Sequence, residues 1–276
     1  MASTRVDRFD PVLKKRVATA AVLAAIALAD VFLGGWFFAI FVVVAVLLMA
    51  EEWAVLARPQ TPRAQSISRL ITAAAPIAAI VFMMEGATAF AFGALGAGMV
   101  AAAGLAAAIP GLSVHRCAFG VVYIGLSAVC LVWLRNVDID GRDAVLWLLV
   151  VIWATDVGAY FAGRAIGGPK LAPRISPSKT WAGLGGGMVF AAIVGGSVSA
   201  ATGHPFLPGA IMAAILAVLA QAGDLFESTL KRRAGVKDSG RLLPGHGGVL
   251  DRVDGLLFAT PCFALGFMLY LNGWIV

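Results

Sequence analysis

The sequence predicts an all-α, polytopic membrane protein with about nine transmembrane helices and a cytoplasmic N-terminus. Three observations carry this. Hydrophobic residues make up 61% of the 276 and charged residues only 13%, whereas a soluble domain is roughly half apolar and a quarter charged. The mean hydropathy is +0.91. The apolar residues also fall into runs long enough to cross a hydrocarbon core of roughly 30 Å, with the charges gathered between them.

The runs place spans near 17–34, 36–57, 69–85, 87–110, 116–134, 143–165, 180–202, 206–226 and 254–275. The first follows the basic cluster Lys14, Lys15 and Arg16, and Gly34–Gly35 divides it from the second. Arg58, Arg63 and Arg69 separate the second from the third, and Gly86 separates the third from the fourth. The fourth contains AFGALGAGMVAAAGLAAAI, a small-residue run suited to close helix packing in a bilayer. Arg116 opens the fifth, Arg135 and Arg142 bracket the turn into the sixth, and a long basic loop precedes the seventh. The densest charge of all lies between the eighth and the ninth.

Orientation follows from the same charges. With nine spans and the N-terminus inside, 19 of the 21 Lys and Arg residues fall on one side, and only Arg135 and Arg142 fall outside. This is a strong positive-inside bias, and losing one early span would scramble it. The leading MASTRVDRFDPVLKKR resembles the charged start of a secretory signal, but no small-residue cleavage site follows, so an uncleaved first helix is expected. The net charge of +6 then reports orientation and contact with anionic headgroups rather than nucleic-acid binding. Cys117, Cys130 and Cys262 are scattered in apolar surroundings and read as small buried hydrophobes.

Polar residues within or beside spans mark function, and they divide the chain unevenly. Residues 1–135 hold about five spans and few acids: Asp30, the Glu51–Glu52 pair and Glu85. Asp30 and Glu85 read as solvated helix ends, and Glu51 and Glu52 as partners for Arg58. Residues 136–276 form the expected catalytic region, with cytoplasmic loops at 164–180 and 227–253.

In QAGDLFESTLKRR, Asp224, Glu227, Ser228 and Lys231 share one helical face that runs from the apolar eighth span to the inner surface. Glu227 and Lys231 suit an i, i+4 pair, which leaves Asp224 without a partner. A turn of GHGG type follows Pro244, where glycines let backbone N–H groups face an anion. Asp251 and Asp254 then stand three apart at the start of the ninth helix. One such Asp reads as a helix cap; two opposite a third carboxylate favour a hard cation, Mg²⁺ above all. The surrounding Lys and Arg would balance a polyphosphate. A second block begins with Asp156, which shares a face with Tyr160, and ends in SPSKT, where Ser176, Ser178, Lys179 and Thr180 form an anion site ahead of a helix. No GxxxxGK[ST] pattern is present, so this is not a P-loop.

The run Ser228-Thr-Leu-Lys-Arg, Lys237-Asp, Pro244-Gly-His-Gly-Gly and Asp251-Arg-Val-Asp resembles the signature of phosphatidate cytidylyltransferases, the CDP-diacylglycerol synthases, with its spacing kept throughout. The block from Asp156 to Trp181 resembles the same family, so the likeness covers about the C-terminal 120 residues. The resemblance implies a multi-spanning, dimeric enzyme of phospholipid synthesis in the bacterial inner membrane, with its active site facing the cytoplasm. It would convert CTP and phosphatidate to CDP-diacylglycerol and pyrophosphate, requiring Mg²⁺ and suggesting K⁺ nearby. It puts metal-binding aspartates at Asp224 and Asp251, with Asp254 close by, and catalytic groups at Asp224, Asp251, Lys231 and Ser228. Substrate contacts would come from Asp156, Ser176, Ser178, Lys179, Thr180, Arg232, Lys237, His246 and Arg252. The alternatives left open are a CTP-dependent lipid kinase, a sugar-phosphate transferase acting on polyprenyl phosphate and, outside enzymes, a cation-coupled transporter.

Overall fold

The computed structural model describes residues 11–240, 242 and 247–273. Nine helices lie among these residues: α1 Pro11–Leu33, α2 Gly35–Leu56, α3 Pro62–Met84, α4 Thr88–Ala108, α5 Val114–Asn136, α6 Gly141–Ala165, α7 Trp181–Ala201, α8 Phe206–Ala234 and α9 Leu250–Leu271. Eight of them, α2 to α9, are long and apolar enough to cross a membrane; in α1 the described apolar stretch is Ala21–Leu33. The chain is an integral membrane protein with an all-α, polytopic fold.

The two divisions made at glycines are real breaks. Gly34 and Gly86 have φ of 65° and 72°, a backbone conformation that costs a side-chain-bearing residue but not glycine. The chain therefore turns there instead of continuing as one kinked helix.

Two elements differ from the sequence reading. Residues 164–180 are not a plain loop: Lys170–Ala172 (β1) and Ser176–Thr180 (β2) pair antiparallel, with Lys170 opposite Thr180 and Ala172 opposite Ser176. Helix α8 also continues to Ala234, so 227–234 is helical rather than part of a cytoplasmic loop. Its 29 residues at about 1.5 Å each outreach the roughly 30 Å hydrocarbon layer. The extra turns carry Glu227, Ser228 and Lys231.

The helices alternate in direction, and side chains tie matching ends together. At one end Arg116 Nη1 donates to the carbonyl of Ala57 (2.9 Å), Arg58 Nη1 to the carbonyl of Arg233 (2.9 Å) and Trp53 Nε1 to the carbonyl of Arg116 (3.0 Å). Arg58 is thus not a partner for the Glu51–Glu52 pair; Glu51 pairs instead with Arg69 at 2.7 Å. At the far end Arg135 Nε donates to the carbonyl of Val31 (2.6 Å). The far end also holds polar groups beyond what the sequence suggested: His204 lies 3.6 Å from Asp140 and 3.2 Å from the Tyr270 hydroxyl, at a cavity of about 150 Å³.

One apolar core runs from Val31 in α1 to Phe263 and Ala264 in α9, joining the first five helices to the last four. Helices α6 and α7 meet across small residues. A Cβ on Gly158 would lie 2.6 Å from Phe190 Cβ and 2.8 Å from the Gly186 carbonyl, so only glycine allows that separation. This contact matters because α7 carries the β-hairpin against the end of α8.

Candidate active site

The polar groups converge where the hairpin, the end of α8 and the start of α9 meet. Thr180 caps α7: its hydroxyl accepts from Gly183 N at 3.0 Å, and the residue is buried. That spends Thr180 on the helix start and fixes the preceding residue, Lys179. Lys179 Nζ lies 2.6 Å from Asp224 Oδ2 on α8. Asp224, left unpaired by helical spacing alone, thus finds its counter-charge on the hairpin. Its other oxygen accepts from Ser228 Oγ at 3.2 Å, one turn along α8.

A second chain of charge runs from α8 to α9. Lys231 Nζ donates to Glu227 Oε2 at 3.0 Å and also to Asp251 Oδ1. The i, i+4 pair expected within α8 therefore extends to α9. Asp251 is held on its other oxygen as well: Oδ2 accepts from Ser239 N (2.9 Å), Ser239 Oγ (2.9 Å) and Gly248 N (2.8 Å). The bond from Gly248 satisfies a free N–H beside the start of α9, where a carboxylate is favoured by the helix dipole.

Asp254 links the two chains. The backbones of α8 and α9 touch at Gly223 and Asp254, and at Gly255 and Ala220, where a Cβ on Gly255 would lie 3.1 Å from that of Ala220. This brings the Asp254 carboxyl within side-chain reach of Glu227 and within electrostatic range of Asp224. Glu227 is 0% exposed, and its Oε1 has no hydrogen-bond donor among the described residues. Two carboxyl groups so close, one with an orphaned buried oxygen, call for a shared proton or a cation between them.

Other residues expected at the site take looser places. Asp156 on α6 is within electrostatic range of Asp224, Lys179 and Arg252. Ser176 and Ser178 stand 3.5 Å apart on β2. Arg232 is exposed, and its guanidinium meets the Ile175 carbonyl of the hairpin turn at 3.4 Å. Lys237 and Arg252 are exposed. His246 lies outside the described residues.

Sequence reading missed two features. The first is a layer of aromatic rings beneath the carboxyl groups. Tyr123 of α5 packs against Trp53, Phe119 and Phe226 at 5.5 Å between centroids and against Phe258 at 6.0 Å. These rings come from α2, α5, α8 and α9, so no local pattern announces them. The second is Glu52. It is buried, and accepts from Val249 N (2.8 Å), Leu250 N (2.8 Å) and Ser239 Oγ (3.2 Å).

Chemically, the arrangement offers acidic oxygens with cationic groups on both flanks, at one end of a membrane bundle. Among the described residues the donor set near Asp224 contains carboxylates and no thiol or imidazole, which suits a hard cation such as Mg²⁺. Among the described residues no three His, Cys, Asp or Glu side chains enclose one point. A divalent ion there would take one or two carboxylates and complete its shell with water and phosphate oxygen.

Residues 14–270 match the cytidylyltransferase family. The chain is similar to the phosphatidate cytidylyltransferase of Brucella suis biovar 1 (strain 1330), at 41% identity over 273 residues, covering 95% of this chain and 94% of the relative. It is 36% identical over 274 residues to that of Pseudomonas aeruginosa, covering 95% and 98%. The phosphatidate cytidylyltransferase of Bacillus subtilis (strain 168) is 44% identical over 142 residues, 51% of this chain and 53% of the relative.

Proposed function

The chain belongs to the cytidylyltransferase family, and from that premise we infer that it transfers the cytidylyl group of CTP to phosphatidate, giving CDP-diacylglycerol and pyrophosphate for phospholipid biosynthesis. The observation that carries the reading is the joining of Lys179 to Asp224 and of Lys231 to Asp251 at one end of the bundle. A lipid kinase, a polyprenyl-phosphate sugar-phosphate transferase and a transporter are not favoured by the family or its named relatives.

The chemistry needs what these residues supply. An oxygen of the phosphatidate headgroup attacks the α-phosphorus of CTP, the bond to the bridging oxygen breaks, and pyrophosphate leaves with that electron pair. Approach and departure both crowd negative charge, so catalysis is chiefly positioning and charge stabilisation. Lys179 and Lys231 sit among carboxylates and can turn to phosphate oxygens as substrate arrives. Arg232, Lys237 and Arg252, all exposed, add positive charge for the polyphosphate. The lipid phosphate is itself the nucleophile, so no covalent enzyme intermediate is required.

Mg²⁺ fits this donor set on two observations: the orphaned buried Glu227 Oε1, and Asp254 within reach of Glu227 and within electrostatic range of Asp224. Asp224 and Asp254 are its best-placed holders, because each Asp224 oxygen has one side-chain partner, Lys179 or Ser228, whereas Asp251 Oδ2 alone accepts three hydrogen bonds; Asp251 would serve it if Lys231 moved to substrate. When bound, the ion would offset charge on the CTP phosphates. A neighbouring K⁺ and a homodimeric assembly rest on the family likeness alone.

The basic residues at this end support a location in a bacterial inner membrane with the site towards the cytoplasm. There CTP is at hand and the lipid headgroup lies at the interface. The test uses purified protein with phosphatidate and CTP labelled in parallel assays at the α- or the γ-phosphate, with and without Mg²⁺. Label should enter lipid with release of pyrophosphate; label entering lipid only from the γ-position would overturn the reading.

A further inference from the structure

We propose that Glu52 of α2 is a positioning residue for the transfer reaction, holding both flanks of Asp251 from the opposite half of the chain. The proposal deepens the function given above and rests on Asp251 and Lys231 belonging to the working site.

Glu52 is 2% exposed, and a carboxylate so buried persists only where donors surround it. Its donors are the N–H groups of Val249 and Leu250, at the first turn of α9, and the hydroxyl of Ser239. Helix starts leave such N–H groups unpaired, and their dipole favours an anion. The cap here comes from a residue 198 positions before Leu250 in sequence, rather than from the local chain.

The backbone is shaped to receive this carboxylate. A Cβ on Gly240 would lie 2.7 Å from Glu52 Oε1, and one on Gly248 would lie 2.6 Å from Glu52 Cδ. Both positions can approach only as glycine. Gly248 and Ser239 are also the residues that donate to Asp251 Oδ2. Ser239 has one hydroxyl proton for two carboxylates, Asp251 at 2.9 Å and Glu52 at 3.2 Å. Loosening Glu52 therefore moves the donors of Asp251 before it moves anything else, and through Asp251 it frees Lys231. A merely structural helix cap would have no need to share the Ser239 hydroxyl with the reactive carboxylate.

The experiment compares purified wild type, Glu52→Gln, Glu52→Asp, Ser239→Ala and the Glu52→Gln/Ser239→Ala double variant, at a temperature well below each melting point. Glu52→Gln keeps the shape but points an NH₂ at donors. We expect kcat to fall by about 10–100-fold, the usual loss when a residue supporting a site ligand is changed, with KM for CTP within about threefold. Glu52→Asp should recover part of the loss, Ser239→Ala should lose less, and the double variant should be no worse than Glu52→Gln, since both act through Asp251. A kcat for Glu52→Gln within about twofold of wild type, or losses that multiply in the double variant, would overturn the proposal. If Glu52→Gln does not fold, Ser239→Ala decides: an unchanged kcat in a normally melting protein rejects the role. Absence of turnover in the wild type would instead reject the function itself, so the two failures are distinct.

Discussion

Lys179 on the hairpin and Asp224 on α8 meet at 2.6 Å, so an element between α6 and α7 supplies the counter-charge that α8 lacks. Lys179 is 14% exposed and Asp224 37%, which leaves the pair reachable by substrate while shielding it from bulk water. Lys179→Met should lower kcat/KM for CTP by about 100-fold or more, because a shielded cation aimed at developing phosphate charge is worth several kcal/mol. Lys179→Arg should retain part of the activity, since charge survives but the fork geometry differs. Steady-state kinetics with CTP varied checks both.

Asp224→Asn and Asp251→Asn should each reduce turnover by about 1,000-fold or more while the protein still inserts and purifies. The two differ in cost to the fold. Asp251 joins a lysine of which only 11% of the side chain is exposed, and removing one partner of a buried pair costs about 3–5 kcal/mol. Lys231 keeps Glu227 as a partner, so Asp251→Asn should fall at the low end of that range and still lower the melting temperature more than Asp224→Asn. Equal melting temperatures would show that the Lys231 bridge contributes little.

Chelation should stop turnover, and added Mg²⁺ should restore it. If Asp224 helps hold the ion, Asp224→Glu should need more Mg²⁺ for half-maximal rate, as should Asp254→Asn, while Lys237→Ala should not. Near wild-type rates for Asp224→Asn and Asp251→Asn at limiting Mg²⁺ would remove the metal assignment.

Most of the helices were legible because a bilayer imposes length and apolarity on each span independently. The breaks at Gly34 and Gly86 were legible too, since positive φ selects glycine. Contacts across the chain were not. Glu52 reads as a partner for Arg58 near the end of its helix, yet its partners lie at 239, 249 and 250. Helical spacing identified the Asp224–Lys231 face but could not say that Lys179 and Asp251 would complete it from other elements. The hairpin was hidden because residues 164–180 read as a basic cytoplasmic loop; Pro177 is the exposed second residue of β2, in a two-stranded sheet where both strands are edges and proline is tolerated.

Tyr123 gives a prediction of opposite sign. Its ring is buried among Trp53, Phe119, Phe226 and Phe258, and its hydroxyl has no hydrogen-bond partner among the described residues. A buried polar group without a partner carries its desolvation cost uncompensated. Tyr123→Phe should therefore leave the melting temperature unchanged or raise it. A clear fall would mean that the hydroxyl has a partner in the working protein, with the nearby carboxyl groups of Glu227, Asp254 and Asp224 the first to examine.

The α6–α7 contact tests whether the site depends on helix spacing as well as on its charges. Gly158 faces Phe190 Cβ at 2.6 Å and the Gly186 carbonyl at 2.8 Å from where a Cβ would stand. Neither neighbour can yield: one is the root of a side chain and the other is backbone. Gly158→Val should destabilise by about 1–3 kcal/mol or more through overpacking. The added volume pushes α7 away from α6, and α7 begins at Trp181, two residues beyond Lys179. Activity should fall further than stability alone explains, because Lys179 moves off Asp224 while α8 stays in place. Gly185→Val, on the facing helix α7, is the control: no neighbouring atom lies within 4 Å of its Cβ position, so it should leave both melting and turnover near wild type. Matching losses in the two variants would show that added bulk on either helix, rather than the α6–α7 separation, disturbs the site.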